Sequence, residues 1–461
     1  MSQKAFVAGD VIIFRLPTNA IVDLHTLALS WDLAVTNSNS AAGGVEVILP
    51  RYSQSFVRRI DVTAGGVQVG LGSLNDYGGL WSLLATNGIS TTKTGELAVL
   101  EGGSATVAEA SSEIIAASTY GSNSTTWTNS NGTKWECPGL FSTVLPLSST
   151  SYWRQNITGF LGVLGGQYMR FLDTNLLPDV EIRITLAPAA VIAGSVNSTN
   201  AASSSTISYT INTPYAQMET ISFGDNTYEQ MVEARLSTGE PIVVPFINHA
   251  SFETSTGGGS GAQSSTATTQ FTVATQSLNT VIGSARAYNY DTFQAAVNPA
   301  TSVQVPFYSF DAQCIKGHML PTSQQNAGAY ALGDSRIAPA RYQTTIDSKV
   351  YPQFMADVGD AYQISKNAYD GAGNNKLYGG IVRDLYSWAH SAFMLAISLD
   401  HNSEDTMKDR LVSGLNTNGS NIPVTWQLSS VDGPDGYRPV VFVEMTSTLM
   451  IYPGRVISVI N

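Results

Sequence analysis

Charged side chains are scarce in this chain. Asp, Glu, Lys and Arg make up 13% of its 461 residues, against roughly a quarter in ordinary soluble domains. The surface is therefore polar but poorly charged, and it lacks the mutual repulsion that keeps large proteins apart. Such a chain either tolerates association or exists to associate. The charge that is present is mostly acidic, giving a net charge of −12. This excludes a wide nucleic-acid-binding face, because neutralising phosphates takes clustered Lys and Arg. Cysteine is nearly absent. Cys137 and Cys314 offer neither a disulfide framework nor a metal knuckle, and they fit free buried thiols in a reducing compartment. Apolar runs are a handful of residues long, against the roughly 20 that span a bilayer, so a soluble protein is expected. The N-terminus, Met1-Ser2-Gln3-Lys4-Ala5-Phe6, lacks an apolar h-region and cleavage site, so export is not expected.

Constellations that carry chemistry are also lacking. His25, His249, His318, His390 and His401 show neither His-x-x-x-His nor Glu-x-x-His spacing, which argues against a zinc hydrolase. No Gly-x-Ser-x-Gly elbow separates a strand from a helix. Gly257-Gly258-Gly259-Ser260-Gly261 is followed by no phosphate-binding Lys, so it reads as a loop. Asp409 could pair with Glu404 or Asp405 as a glycosidase needs, and Asp400, Asp405 and Asp409 could face a calcium ion. These carboxylates lie in an expected loop without the Gly and terminal Glu of a calcium hand, and solvated charge is the simpler reading. The Asn-x-Ser/Thr sites at Asn123, Asn131, Asn156, Asn197 and Asn418 would carry glycans only in a secretory pathway. The expectation is a protein without catalytic residues, metal or cofactor.

What the chain does contain is strands. Runs rich in β-branched and aromatic residues recur at short intervals between Gly, Asn, Ser and Pro clusters, which predicts an all-β protein of sandwiches or barrels. The clearest are 11–16, 24–35, 45–49, 56–62, 180–186 and 207–223, then 242–251, 269–274, 303–310, 340–347, 392–399, 424–428 and 440–451. In Val180-Glu181-Ile182-Arg183-Ile184-Thr185-Leu186 apolar and polar residues alternate strictly, so one face meets a core. Three segments have helical spacing instead. Ser73–Leu84 places Tyr77, Leu80, Trp81 and Leu84 on one face; Gly359–Tyr369 starts with Asp360 as its cap; Asn226–Leu236 lies at the midpoint and ends before Gly239.

Length favours two domains. An internal parallel supports that division: Ile60-Asp61 precedes the helical Tyr77 by nearly the distance that separates Ile346-Asp347 from Tyr362. Each half also ends in two strands. The expected organisation is an N-terminal sandwich at 1–224, a helical linker at 225–240 and a C-terminal sandwich at 241–461.

With these pieces in order, the sequence resembles the double jelly-roll major capsid proteins of virophages, polinton-like viruses, nucleocytoplasmic large DNA viruses, tectiviruses and adenoviruses. The resemblance rests on Phe56–Asp61 with Leu71–Tyr77 and Leu80-Trp81-Ser82-Leu83, and on the series Val144-Leu145-Pro146-Leu147, Gly159-Phe160-Leu161, Leu176-Leu177-Pro178 and Val180–Leu186. It rests too on Arg341–Tyr351-Pro352-Gln353 ahead of the Tyr362 helix, and on Val440–Leu449. It covers most of the chain, although the chain is shorter than virophage examples and its loop Ser255–Thr268 is unusually rich in Gly and Ser. The resemblance implies two eight-stranded jelly rolls, trimers shaped as pseudo-hexagonal capsomers, and an icosahedral shell around a DNA genome. It further implies location in the virion, no enzymatic activity, and no specific grip on nucleic acid. Neighbouring capsomers, penton and minor capsid proteins are the implied partners, with an internal membrane beneath the shell.

Connections 97–140, 189–205, 252–268 and 313–339 would form outward towers and lateral contacts. The residues expected at inter-domain or assembly contacts are Val243, Val244, Phe246, Tyr77, Trp81 and Tyr362. Two other readings remain open: a secreted β-sandwich adhesin or surface-layer protein that binds carbohydrate, and a glycosidase built on sandwiches. The first would show an aromatic platform on one sheet and no helix between the sandwiches.

Overall fold

The computed structural model describes residues 5–38, 45–50, 52–88, 127–128, 134–135, 140–143, 149–165, 169–196, 207–223, 227–253, 267–287, 310, 342–346, 349–370, 381, 388, 393–399, 414–417, 423–428 and 437–461. Sixteen strands build two sandwiches. In the first they are β1 (Ala5–Val7), β2 (Val11–Arg15), β3 (Ile21–Asn37), β4 (Val57–Ala64), β5 (Val67–Gly70), β6 (Ser149–Ile157), β7 (Val180–Leu186) and β8 (Ile207–Ile221). In the second they are β9 (Ile242–Glu253), β10 (Ala267–Thr272), β11 (Leu278–Ala287), β12 (Tyr342–Ile346), β13 (Lys349–Ala356), β14 (Leu395–Ser398), β15 (Pro423–Leu428) and β16 (Tyr437–Tyr452).

The sheet orders are β1-β8-β3-β6 facing β2-β7-β4-β5, and β9-β16-β11-β14 facing β10-β15-β12-β13. Adding eight to each strand number of the first set reproduces the second. All these pairings are antiparallel. The chain is a double jelly roll. Among the described residues no strand of one set pairs with a strand of the other, and the helix Thr227–Ser237 runs between the sets.

Alternation explains the strands. On β7, Val180, Ile182, Ile184 and Leu186 are buried, while Glu181, Arg183 and Thr185 face outward. The long β3 contributes Leu27, Leu29, Trp31, Leu33 and Val35 to the same core. Two large aromatics of that core have their polar atoms bonded: Trp31 Nε1 donates to Gln155 Oε1 at 2.8 Å, and Tyr209 donates its hydroxyl to the Ala187 carbonyl. Burial pushes the Tyr209 phenol far above its ordinary pKa. Phe56 meets Tyr209 edge-on at 5.1 Å, a favoured aromatic geometry.

The internal parallel in the sequence has a structural counterpart. Ile60 lies on β4 and Ile346 on β12, the corresponding strand of the second roll. The helices Tyr77–Gly88 and Val358–Asp370 both connect the fifth strand of their roll to the sixth.

Several elements differ from expectation. The first helix begins at Tyr77 rather than Ser73, because the backbone of Ser73 and Asn75 is hydrogen-bonded to Ser251 of β9. The helix Val358–Asp370 is capped by Asp357, not Asp360. Asp357 Oδ1 accepts from the Asp360 N–H at 2.9 Å and Asp360 Oδ2 accepts from the Asp357 N–H at 3.3 Å, a reciprocal box. Where one run was expected at 340–347, the described residues form two antiparallel strands, Tyr342–Ile346 and Lys349–Ala356, with Ile346 opposite Lys349. Strands β1, β5, β6, β11 and β13 fall outside the clearest sequence runs. β6 reads as polar, Ser149-Thr150-Ser151-Tyr152-Trp153-Arg154-Gln155-Asn156, and is a strand because β3 pairs with it along its length. Both cysteines, residues 303–309, His318, His390, His401 and Asp400 to Asp409 lie outside the described residues.

Glycine is required at residue 162. Its φ is +68°, and a Cβ there would lie 2.5 Å from Leu71 Cδ2. Gly162→Ala is expected to destabilise the protein by more than about 1 kcal/mol, since both the backbone and the space forbid a side chain. Differential scanning calorimetry checks this as a lowered unfolding temperature.

Candidate assembly site

The β9–β16 ladder is longer than the sandwich to which it belongs. β9 and β16 pair from Ile242 opposite Ile451 to Glu253 opposite Val440, whereas β11 follows β16 only as far as Met445. The base of the ladder, Ile242–Ile247 with Thr446–Ile451, therefore projects past the second roll. Strand Val456–Ile460 flanks it on β16. This base lies against the first roll. Leu449 joins Leu16, Leu24, Val62, Val69 and Val163 in one apolar cluster, and the fully enclosed Phe246 ring comes so close to Gly70 that a Cβ there would sit 3.0 Å from it.

Polar bonds fix the register of this seam. Asn248 Oδ1 accepts from the buried N–H groups of Leu71 and His249, both at 2.9 Å. Leu71 has a left-handed backbone, φ +61°, which costs an L-residue about 1–2 kcal/mol. Its bond to Asn248, and the niche left by Gly162 for its side chain, hold it there. Asp76 accepts from the buried guanidinium of Arg286 on β11 at 2.5 Å, and that guanidinium lies over the Phe310 ring. Loop 70–76 of the first roll is thus clasped by β9 and β11 of the second.

The expected contact residues divide by position. Phe246 and Val244 lie at the seam, the former enclosed and the latter half-buried. Val243 is half exposed on the edge strand β9. Tyr77 and Trp81 are enclosed in the first roll just past the clasped loop, where Tyr77 Oη accepts from the Leu161 N–H at 3.1 Å and Trp81 Nε1 donates to the Gly159 carbonyl at 2.7 Å. Tyr362 packs edge-on against Trp388 inside the second roll. Sequence reading missed Asn248, Arg286 and Asp76. Only the unusual Asn-His pair in an otherwise apolar strand hinted at the first of them.

The rolls stand side by side with one polarity. Asn19, after β2, meets Arg455, after β16, at one end; Ser73 and Asn75 meet Ser251 towards the other. Three connections of the first roll converge beyond the upper ends of its strands, where Val45–Pro50, Leu140–Thr143 and Ala193–Val196 form a small sheet of their own. Strands β9 and β11 also end towards that side. Most of the expected tower residues lie outside the described set.

Ion pairs on the faces are mostly exposed and have modest energetic value. One is partly shielded: Asp23 is enclosed, and Arg170 donates to its Oδ2 from Nε and Nη2 at 3.0 and 2.9 Å. These bonds hold the Asp23 carboxyl below its usual pKa. Among the described residues no group of His, Cys, Asp and Glu could hold a metal ion, and no helix is long and apolar enough to cross a membrane.

No family model and no curated protein matches the chain. Solved structures do. A chain of the Sputnik virophage structure aligns with 10% identity and TM-score 0.51, over 100% of this chain and 86% of its own. PBCV-1 VP54, as fitted into a reconstruction of the virophage Sputnik, aligns with 10% identity and TM-score 0.51, over 99% and 95%. The mavirus major capsid protein aligns with 10% identity and TM-score 0.48, over 99% and 88%. At such identities the likeness is one of fold, and it extends over both rolls.

Two outcomes are expected. Asn248→Ala leaves two buried N–H groups without an acceptor, and should cost about 1–3 kcal/mol, read as a lower unfolding temperature. For Asp23, the folded pKa lies below the unfolded one. Its pairing therefore stabilises fully above the unfolded carboxylate pKa and is lost as pH falls through the folded value. In acid titrations followed by circular dichroism, Asp23→Asn should remove part of the stability lost below about pH 4.

Proposed function

We propose that this chain is a viral major capsid protein: it trimerises into pseudo-hexagonal capsomers that tile an icosahedral shell around a DNA genome. The observation that carries this reading is the repetition of one eight-strand order in two rolls standing side by side with the same polarity. Three such pairs around an axis present six similar sandwiches, so one protein can fill a hexagonal lattice. The connections that open towards one end are suited to an outer surface. The fold shared with PBCV-1 VP54 and with the Sputnik virophage chain supports the same reading. On this reading the chain is a structural protein of the virion, its main partner is itself, and penton and minor capsid proteins and an internal membrane are further neighbours. The carbohydrate-binding alternative called for sandwiches without a helix between them, and the helix Thr227–Ser237 counts against it.

Light scattering coupled to size exclusion, with negative-stain microscopy, tests the proposal: particles of three chains with hexagonal outline are expected, and a stable monomer that binds glycans would overturn it. Val243→Asp, placed on an exposed edge, should leave a folded monomer and remove trimers. Phe246→Asp should instead melt the seam and lower the unfolding temperature.

A further inference from the structure

The seam inside the chain joins two unlike sides of one kind of sandwich. The first roll offers the side that carries β5 and the loop leading to its helix. The second roll receives that loop on β9 and β11, through Asn248, Ser251 and Arg286. Because the rolls repeat one strand order, each has both kinds of side. The pair therefore ends in one unused side of each kind: the β13 side of the second roll, and the side of the first roll that carries β1 and β8. A contact between unlike sides closes a ring when it is repeated around an axis.

Both unused sides bear exposed apolar side chains. On the offering side β13 is the last strand of its sheet, and Phe354 is 56% exposed in the run that leads into the helix Val358–Asp370. Loop 70–76 holds the same place before the helix of the first roll. On the receiving side Val7 is 52% and Tyr215 44% exposed. Val7 points away from the core, since Phe6 beside it is buried. Its counterpart is Glu253: Val7 pairs with Thr210, three residues into β8, and Glu253 with Val440, three residues into β16. Tyr215 and Met445 each lie eight residues after the start of those two strands, and Met445 pairs with Asn248. Tyr215 thus stands at the height at which the seam inside the chain is clasped. Rotation about an axis along the upright rolls brings the two unused sides together at that height.

One difference separates the two receiving sides. β9 flanks β16 from Val440 to Ile451, whereas β1 flanks β8 only from Thr210 to Asn212. Among the described residues, β8 from Tyr215 to Ile221 pairs with β3 alone, and its other flank is bare. A missing strand on the receiving side matches a protruding aromatic on the offering side. Charge adds no direction here, since Arg154 beside Tyr215 is paired with Asp32, and Asp357 and Asp360 are engaged with each other at the start of their helix.

We infer that a second copy of this chain repeats the seam between chains: the β13 side of one copy, led by Phe354, docks on Val7, Tyr215 and the bare flank of β8 in the next. The inference rests on the capsid reading and names the sides by which its trimer closes.

Val7→Arg and Phe354→Arg test it. Both positions are exposed, so neither change should alter the unfolding temperature, yet each should turn the trimers seen by light scattering into monomers of 49.0 kDa. A second variant adds no charge. In a Cys137→Ser, Cys314→Ser background, Tyr215→Cys combined with Phe354→Cys should let a short thiol cross-linker join chains into covalent trimers, while either new cysteine alone leaves single chains. Trimers that persist in a folded Arg variant, or double-cysteine trimers that yield no joined chains, overturn the contact and leave the capsid reading standing. A monomeric wild type overturns both. Should an Arg variant melt early, the cross-link decides.

Discussion

The structure depends on the overhang of the β9–β16 ladder. A sandwich needs only enough strand to cover its own core, yet these two strands continue past theirs and place Phe246 and Leu449 against the first roll. Burying a large apolar side chain stabilises by about 1.5–3 kcal/mol, so the overhang converts two neighbouring sandwiches into one continuous core. Asn248 and the Arg286–Asp76 pair add direction more than energy. A buried ion pair contributes little net stability, but breaking one by removing a partner is costly. The pair therefore penalises any other register between the rolls.

That rigidity bears on the proposed role. A pseudo-hexagonal capsomer works only if the two sandwiches keep a fixed spacing and the same polarity, because a hinge between them would blur the six-fold outline. The sparse charge of the chain suits the same end. A surface with few ions to desolvate can bury wide polar contacts cheaply, and the charges that remain can direct contacts instead of opposing them. The linker helix is the exception to good packing, since it lies on the surface with grooves beside it and no buried residue.

Much of the fold was legible because β-structure leaves a period-two record wherever one face is wet. β7 shows it residue by residue. The helices were legible by their aromatic spacing, and the parallel between Ile60 and Ile346 pointed to counterpart strands. Errors arose where long-range partners set the boundary. The first helix starts late because Ser251, far along the chain, holds the backbone of Ser73 and Asn75. β6 is a strand because β3 is beside it, not because of its own polar composition.

Of the residues expected at contacts, sequence alone could mark Phe246 and Val243 as members of one apolar strand, but not the face each takes. Alternation about a seam decides that, and the seam exists only once both rolls are folded. By itself the sequence determined the all-β class, the helix at the midpoint and the poverty of charge, because these follow from local periodicity and composition. Only the tertiary structure decided that loop 70–76 is clasped, that Arg286 and Asp76 meet, and which apolar side chains remain exposed. Those depend on pairings between residues far apart in the chain, and no local pattern encodes them.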